Sequence, residues 1–280
     1  MKGVFTRYAQ TKGGLLGLAI LLAVIALALT AHWLFPVSPW DTVGAPFEPP
    51  LTEGMLLGSD MLGRDVAAGI AHGAYVSLLI GVVSTVAALA VGITLGAVAG
   101  YVGGWVDHLL VGFIEFFQTI PSFVLAVVLV AIFNPRIEAI VGAIAVVSWP
   151  PIARLVRAEF MSMRSREYVQ AAWLTGRSDI AIIFKEILPN TLSPIVVAGS
   201  MMVATAILLE SALSFLGLGD PNLMSWGYII GSSRTVMRMA WWMSVFPGLA
   251  IVLTVLAINL IGEALNDALN PHLQSVEEAP

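Results

Sequence analysis

The residues in this chain that could do chemistry are few and far apart. His32, His72, His108 and His272 are scattered, and no carboxylate stands at ligand spacing from any of them. Cysteine is absent, so neither a disulfide framework nor a thiolate metal site can form. The three lysines, Lys2, Lys12 and Lys185, all lie outside any glycine-rich phosphate loop of the G-x-x-x-x-G-K-[ST] kind. No catalytic dyad, triad or metal site is legible, and no cofactor is implied. The expectation is a protein that is not an enzyme. Without such a phosphate loop the chain by itself cannot bind nucleotide in that manner.

Two carboxylates stand out because their surroundings are apolar. Glu115 interrupts the run Leu109 to Phe133, and Glu210 closes the run Ile187 to Leu209. An ionisable group within a membrane span is a functional candidate by default. Glu115 lies a few residues past Asp107, which favours a group that snorkels to the interface or pairs with a neighbouring helix. Glu210 reads equally as an interfacial group and as a gate element.

The elements holding these residues follow from composition. The chain is 58% hydrophobic and only 11% charged, against ~25% charged for an ordinary soluble domain. Its natural solvent is lipid. The net charge of −5, with no basic run, argues against a nucleic-acid partner. A span needs ~20 mostly apolar residues. Six candidates meet that demand: 13–35, 74–100, 109–133, 139–156, 187–209 and 239–262. Ala26-Leu27-Ala28 resembles a signal-peptidase site, but the apolar core before it is longer than the ~7–15 residues of a cleaved signal. A retained helix is preferred. Pro121 should kink span three. Trp226, Trp241 and Trp242 suit an aromatic belt at the membrane surface.

Lys2, Arg7 and Lys12 precede span one, and Arg154, Arg157, Arg164, Arg166, Arg177 and Lys185 gather between spans four and five. Together they are nine of the 13 basic residues. Six spans put both groups on one side, which the positive-inside rule makes the cytoplasm. The expected order is a cytoplasmic N-terminus (1–12), transmembrane helix 1 (13–35), an external loop (36–73) and a core of helices 2–6 (74–262). That core contains a cytoplasmic loop at 157–190 and an external loop at 214–240, and a cytoplasmic tail (263–280) follows. The first external loop carries Asp41, Glu48, Glu53, Asp60 and Asp65 against Arg64 alone.

The stretch 167–194 is too polar to span a membrane and too regular for a plain loop. Arg166 to Leu174 reads as a short helix, and Thr175-Gly176-Arg177 breaks it. Ser178 is a good N-cap, and Asp179 complements the dipole of a second helix. Ile180, Ile183, Phe184 and Ile187 recur at α-helical spacing and predict one apolar face. Pro189 and Pro194 mark the start of span five. Such an amphipathic segment suits a membrane surface or a partner's groove.

Gln170-Ala171-Ala172, then Gly176, then Ile187-Leu188-Pro189 resembles the EAA loop of ABC importer permeases, with Gln170 at the usual Glu position. Gly58-Ser59-Asp60-Met61-Leu62-Gly63-Arg64-Asp65 is similar to an element before the second span of dipeptide, oligopeptide and nickel permeases. Ser214-Phe215-Leu216-Gly217-Leu218-Gly219 with Ser225-Trp226-Gly227 resembles their external loop. Asn259-Leu260-Ile261-Gly262 with Asp267-Ala268-Leu269-Asn270-Pro271 resembles their C-terminal ending. The resemblance covers nearly the whole chain. It implies an all-α integral membrane protein with six transmembrane helices and the type I ABC importer permease fold, specifically the second permease subunit.

The implied partners are a different permease subunit, two ATP-binding cassette ATPases, an extracytoplasmic substrate-binding protein and a bacterial inner membrane. The implied cargo is peptides, with nickel chelates, glutathione-like compounds or other small amino-acid derivatives as alternatives. The resemblance assigns ATPase coupling to Gln170, Ala171, Ala172, Gly176, Ser178, Asp179, Ile180, Ile183, Phe184 and Pro189. Asp60, Arg64, Asp65 and Trp226 are expected to contact the binding protein. Gly92, Gly96 and Gly100 repeat every fourth residue, which predicts close helix packing with a partner either in this chain or in another. A self-contained secondary transporter would show more spans, internal repeats or a run of intramembrane charges; the sequence has no convincing internal repeat and few intramembrane charges.

Overall fold

The structure, a computed structural model, describes residues 2–52 and 54–269. Glu53 and the tail beyond Leu269, with Asn270, Pro271 and His272, lie outside the described residues. In chain order the helices are α1 (Lys2–Gln10), α2 (Lys12–Leu34), α3 (Val66–Val102), α4 (Gly104–Thr119), α5 (Ser122–Phe133) and α6 (Ile137–Arg164). They continue as α7 (Glu167–Leu174), α8 (Asp179–Ile182), a π-helical turn Ile183–Ile187, α9 (Leu188–Leu213), a second π turn Ser214–Leu218, α10 (Trp226–Ser233) and α11 (Trp242–Leu269).

Among the described residues, five helical stretches are long and apolar enough to cross a membrane: α2, α3, α6, the continuous helix Asp179–Leu218, and α11. The pair α4 and α5 passes the same test only together and is bent by 82°, the geometry of a broken span or a re-entrant loop. The bend sits at Pro121, where the sequence predicts a kink. Proline has no N–H for the helical ladder and pushes its predecessor out of the α region. Ile120 accordingly adopts φ −90°, ψ 127°. The result is a sharp break and not a gentle curve.

Element ends depart from the expected boundaries for local reasons. Helix α3 begins at Val66, eight residues before the expected 74, because Asp65 caps it by accepting from the Ala67 amide at 2.8 Å. It stops where Gly103 takes φ 73°. Its 37 residues correspond to about 55 Å at 1.5 Å per residue, longer than the ~30 Å of a bilayer's hydrocarbon. Helix α11 continues past Gly262 because Ala264 and Ala268 are buried there, with Gly14 of α2 packed on Ala264.

Helices α3 and α6 form the spine. A β-carbon at Gly92 would lie 2.7 Å from Ile152 Cγ2, one at Gly96 would strike the Ala153 carbonyl, and one at Gly100 would lie 2.6 Å from the Arg157 carbonyl. The small-residue stripe of α3 therefore faces α6 of the same chain. Helix α9 packs on α3 through Gly81 against Ile207 and on α11 through Gly262 against Ser200. Apolar clusters close both ends of α3. One joins Val66, Ile70, Trp226, Ile229, Trp242 and Met243. The other joins Ala97, Tyr101, Phe160, Val169, Ile182 and Ile187. The expected aromatic belt is corrected here: Trp226 and Trp242 are core residues, and only Trp241 is half exposed. Their indole N–H groups explain the placement. Trp226 Nε1 donates to the Ile70 carbonyl at 2.9 Å, and Trp242 Nε1 to the Ser59 carbonyl at 3.0 Å.

Candidate functional site

The segment between α6 and α9 folds back onto the Val102 end of α3. Helix α7 turns Val169 and Ala172 inward and leaves Gln170, Ala171, Trp173 and Leu174 outward. Its end is closed by amides of Thr175, Gly176 and Arg177 donating to carbonyls of Ala171, Trp173 and Ala172. Gly176 takes φ 75°, and a β-carbon there would meet nothing within 4 Å. Glycine is demanded by the backbone angle and not by crowding within the chain. Ser178 caps α8 through a long 3.4 Å bond from the Ala181 amide, and Asp179 follows in the first turn.

The apolar face predicted from α-helical spacing is divided by the π turn. A π turn bonds residues five apart, and Leu188 N donates to Ile183 O accordingly. This brings Ile182 and Ile187 to the buried side, where both are fully enclosed. Ile183 is half buried against the same cluster. Ile180 and Phe184 are left outside, 71% and 62% exposed, with Leu174 beside them at 90%. The expectation of one outward face is thus corrected: Ile183 and Ile187 belong to the chain's own core, and Ala172 is buried with them. Pro189, which has no N–H to give, follows the π turn directly and is exposed. Arg177 and Glu186 form an ion pair across the outer side.

A polar cluster ties this segment to the membrane helices. The Tyr101 hydroxyl, at the end of α3, donates to Asp179 Oδ1 at 2.6 Å and accepts from Trp173 Nε1 at 3.1 Å. The Arg164 guanidinium, ending α6, sits 5.9 Å from the Tyr101 ring centre and 5.5 Å from that of Trp173. Nearby, Arg157 Nη2 donates to Asp107 Oδ2 at 2.8 Å and fastens α6 to α4. Gln170 makes one bond, Nε2 to the Ser165 carbonyl at 3.3 Å, inside its own segment.

At the other end of α3, two of the acidic residues are committed to the backbone. Asp60 Oδ1 accepts from the amides of Leu62 and Arg64 at 2.7 and 2.9 Å. Burial raises the Asp65 carboxyl above the ordinary aspartate range, while the amides of Ala67 and Ala68 pull it down. Arg64 stacks 4.9 Å from the Trp40 ring centre. Trp226, expected at a contact surface, is 1% exposed; the correction follows from its bond to Ile70 and its seat in the α3–α11 core. Glu210, expected as an interfacial or gating group, is enclosed by the chain's own residues. It is 1% exposed and accepts from the hydroxyls of Ser225 at 2.7 Å and Ser214 at 2.8 Å. Gly227 and Gly231 let α10 approach, since a β-carbon on either would collide with the Ser211–Ser214 stretch. Glu115 faces outward and is exposed.

Between α4–α5, α6 and α9 lies an open cavity of about 750 Å³. Its walls are mostly apolar, with Gln118, Ser122, Ser148 and Thr205 as polar points and Pro121 and Pro150 where helices break or kink. Outside its rim Arg154 donates to Gln118 Oε1 at 2.8 Å.

Sequence reasoning reached the segment 167–189 but missed Tyr101, Trp173, Arg164 and Ile182. A tyrosine placed just before the glycines that end a span was the available signal. The Trp173–Tyr101 bond joins residues 72 apart, and no local pattern announces it. The serines around Glu210 also escaped notice, although Ser211 and Ser214 stand one and four residues away.

Buried glycine-lined helix contacts, at least five apolar helices long enough to cross a membrane and an exposed apolar segment at one end define a multi-pass helical membrane protein. Residues 92–275 match the model of the binding-protein-dependent transport system inner membrane component, and the chain belongs to that family. It is 40% identical over 284 residues to the "Di/tripeptide transport system permease protein DppC" of Pseudomonas aeruginosa (strain UCBPP-PA14), covering 98% of this chain and 93% of that one. The "Glutathione transport system permease protein GsiD" of Pectobacterium atrosepticum is 39% identical over 259 residues, covering 91% of this chain and 86% of its own. A chain solved in inward-facing conformations of the MetNI methionine ABC transporter aligns with TM-score 0.57 at 17% identity, over 70% of this chain and 96% of that chain. That likeness concerns the fold.

Proposed function

We propose that this chain is one of two different permease subunits of an ATP-driven importer in a bacterial inner membrane, carrying di- or oligopeptides. In this reading the segment 157–190 is cytoplasmic and receives one of two ATPase subunits. Both termini share that side. The segments 36–65 and 214–240 face outward toward a substrate-binding protein, which Asp60, Arg64 and Asp65 help to seat. The cavity between α4–α5, α6 and α9 forms this chain's half of the pathway. ATP-driven closure of the ATPases displaces α7 and α8, and the membrane helices re-open toward the binding protein.

The observation that carries the proposal is the outward trio Leu174, Ile180 and Phe184 on a segment otherwise anchored in the chain's core. Beside it stand Gln170, Ala171, Gly176, Ser178, Asp179 and Pro189, all exposed. Burial of such side chains in a partner's groove contributes ~1.5–3 kcal/mol each. The basic residues around the segment support the cytoplasmic side. A glutathione-like cargo is the second reading, favoured by the similarity to the glutathione permease.

The test is co-purification of the tagged permease from its native host, in wild-type and Ile180→Asp forms. The wild type should bring two ATPases and a second permease, and the variant only the second permease. ATPases held equally by both would end the docking reading. Ile183→Asp is the poorer test, because a charge there would also disturb the chain's own core.

A further inference from the structure

The coupling segment touches the membrane helices in two ways, and the two differ in what they can transmit. Val169, Ala172, Ile182 and Ile187 rest on Ala97, Val156 and Phe160. Apolar contact of this kind resists separation but is non-directional. The polar contact is different. Trp173 N–H donates to the Tyr101 oxygen, and the Tyr101 O–H donates to Asp179. One hydroxyl thereby joins α7 and the first turn of α8 to the last turn of α3. Arg164, the final residue of α6, covers both rings and reaches the Val102 carbonyl with Nη1 at 3.4 Å.

We infer that Tyr101 is a positioning residue for transport, setting the register of α7 and α8 on the ends of α3 and α6. Through it, displacement of the coupling segment turns those two helices as one body. The inference rests on the coupling role proposed above. Its geometry separates positioning from folding. The Tyr101 ring is buried, whereas Trp173 and Asp179 are exposed. Loss of the hydroxyl leaves the ring packed and lets both partners turn to water. Stability is then little changed, but the directional link is gone. The bonds share one oxygen and reinforce each other, so the link should fail as a unit. Gln170, tied only to Ser165 within the segment, makes no bond to α3 or to the body of α6. Of the polar side chains on α7 and α8, Trp173 and Asp179 are the two that bond to α3.

The experiment uses the intact complex with its second permease and ATPases, co-purified from the native host and reconstituted in lipid discs. Backbone hydrogen exchange is followed with and without a non-hydrolysable ATP analogue. In the wild type, nucleotide should alter exchange both in 167–187 and at the far end, in 66–81 and 207–231. Tyr101→Phe should keep its ATPases and its thermal midpoint. It should keep the nucleotide response in 167–187 and lose that at the far end. Asp179→Asn retains an acceptor for the hydroxyl and should retain the far-end response; Asp179→Ala should lose it. Tyr101→Phe combined with Asp179→Ala should be no worse than either alone. A wild-type far-end response in Tyr101→Phe overturns the inference, as does loss of the ATPases from that variant or a wild-type complex whose far end ignores nucleotide. Failure of the coupling role itself is read separately, as ATPases absent from the wild type or retained by Ile180→Asp.

Discussion

The two ends of α3 carry segments of similar character that are finished differently. At the Val66 end, the stretch 214–240 buries Met224, Trp226 and Ile229 while Leu216, Met237 and Met239 stay exposed, and Glu210 holds the stretch by accepting from Ser214 and Ser225. At the Tyr101 end, the stretch 167–187 buries Val169, Ile182 and Ile187 but leaves Leu174, Ile180 and Phe184 in the open. Both are amphipathic insertions between spans. The first buries its one tryptophan fully within the chain, and the second leaves its most outward apolar groups, Leu174 and Ile180, 90% and 71% exposed. An apolar surface left over where lipid is not the expected solvent marks a place for a partner. The comparison teaches that an insertion's amphipathicity does not reveal what covers its apolar side.

The sharpest way to break the comparison is at the closed end. Trp226→Ala removes a buried indole and leaves the Ile70 carbonyl without its donor, a loss expected at about 3–5 kcal/mol. The purified permease alone should show this as a lowered thermal midpoint. A midpoint unchanged in the absence of all partners would mean that the closed end is not closed by its own residues.

At the open end the expectation reverses. Phe184→Asp should leave the isolated permease within about 0.5 kcal/mol of the wild type, as surface changes do. In the assembled complex the same change places an unpaired charge in a contact, and ATPase affinity should fall at least roughly tenfold. Titration of purified ATPases onto the permease pair measures it. Loss of monomer stability with no change in affinity would make 184 a core position.

Gly176→Val should cost less stability than Trp226→Ala. A β-branched residue at φ 75° is strained by about 1–2 kcal/mol. The variant should insert normally, as read by its membrane fraction, while uptake of a labelled dipeptide by cells is lost. Normal uptake would mean that the corner can be remade without glycine. Smallest of all is Ser178→Ala. Its capping bond is long at 3.4 Å, so about 0.5 kcal/mol at the low end of cap losses is expected. ATPase affinity should fall by roughly twofold to threefold, measured by the same titration.

Much of the architecture was legible because lipid constrains sequence so strongly. The six apolar runs, the break at Pro121, the glycine corner at 176 and the Ser178 cap each follow from one local rule, whether length, a missing N–H, a backbone angle or a side-chain acceptor. The stripe Gly92, Gly96 and Gly100 announced close packing by its spacing, but not its partner. That α6 fills the stripe depends on Ile152, Ala153, Arg157 and Phe160 arriving there, more than fifty residues later.

The outward face of 167–187 was misread because the α-helical period was assumed through Ile183–Ile187. A π turn in the run-up to Pro189 changes that period, and sequence spacing alone does not distinguish the two. The indoles of Trp226 and Trp242 were read as surface groups because an aromatic near a span end suits the interface. The acceptors that make them core residues, the carbonyls of Ile70 and Ser59, come from elements 156 and 183 residues away.

By itself, then, the sequence determined the solvent, the apolar runs and the local stops, since each depends on the chemistry of neighbouring residues. The tertiary structure alone decided which apolar faces are already covered and which carboxylates are already occupied. It also joined Tyr101 to Asp179 and Trp173. These are contacts between distant elements, and whether a side chain is free or satisfied is a property of what the fold brings against it.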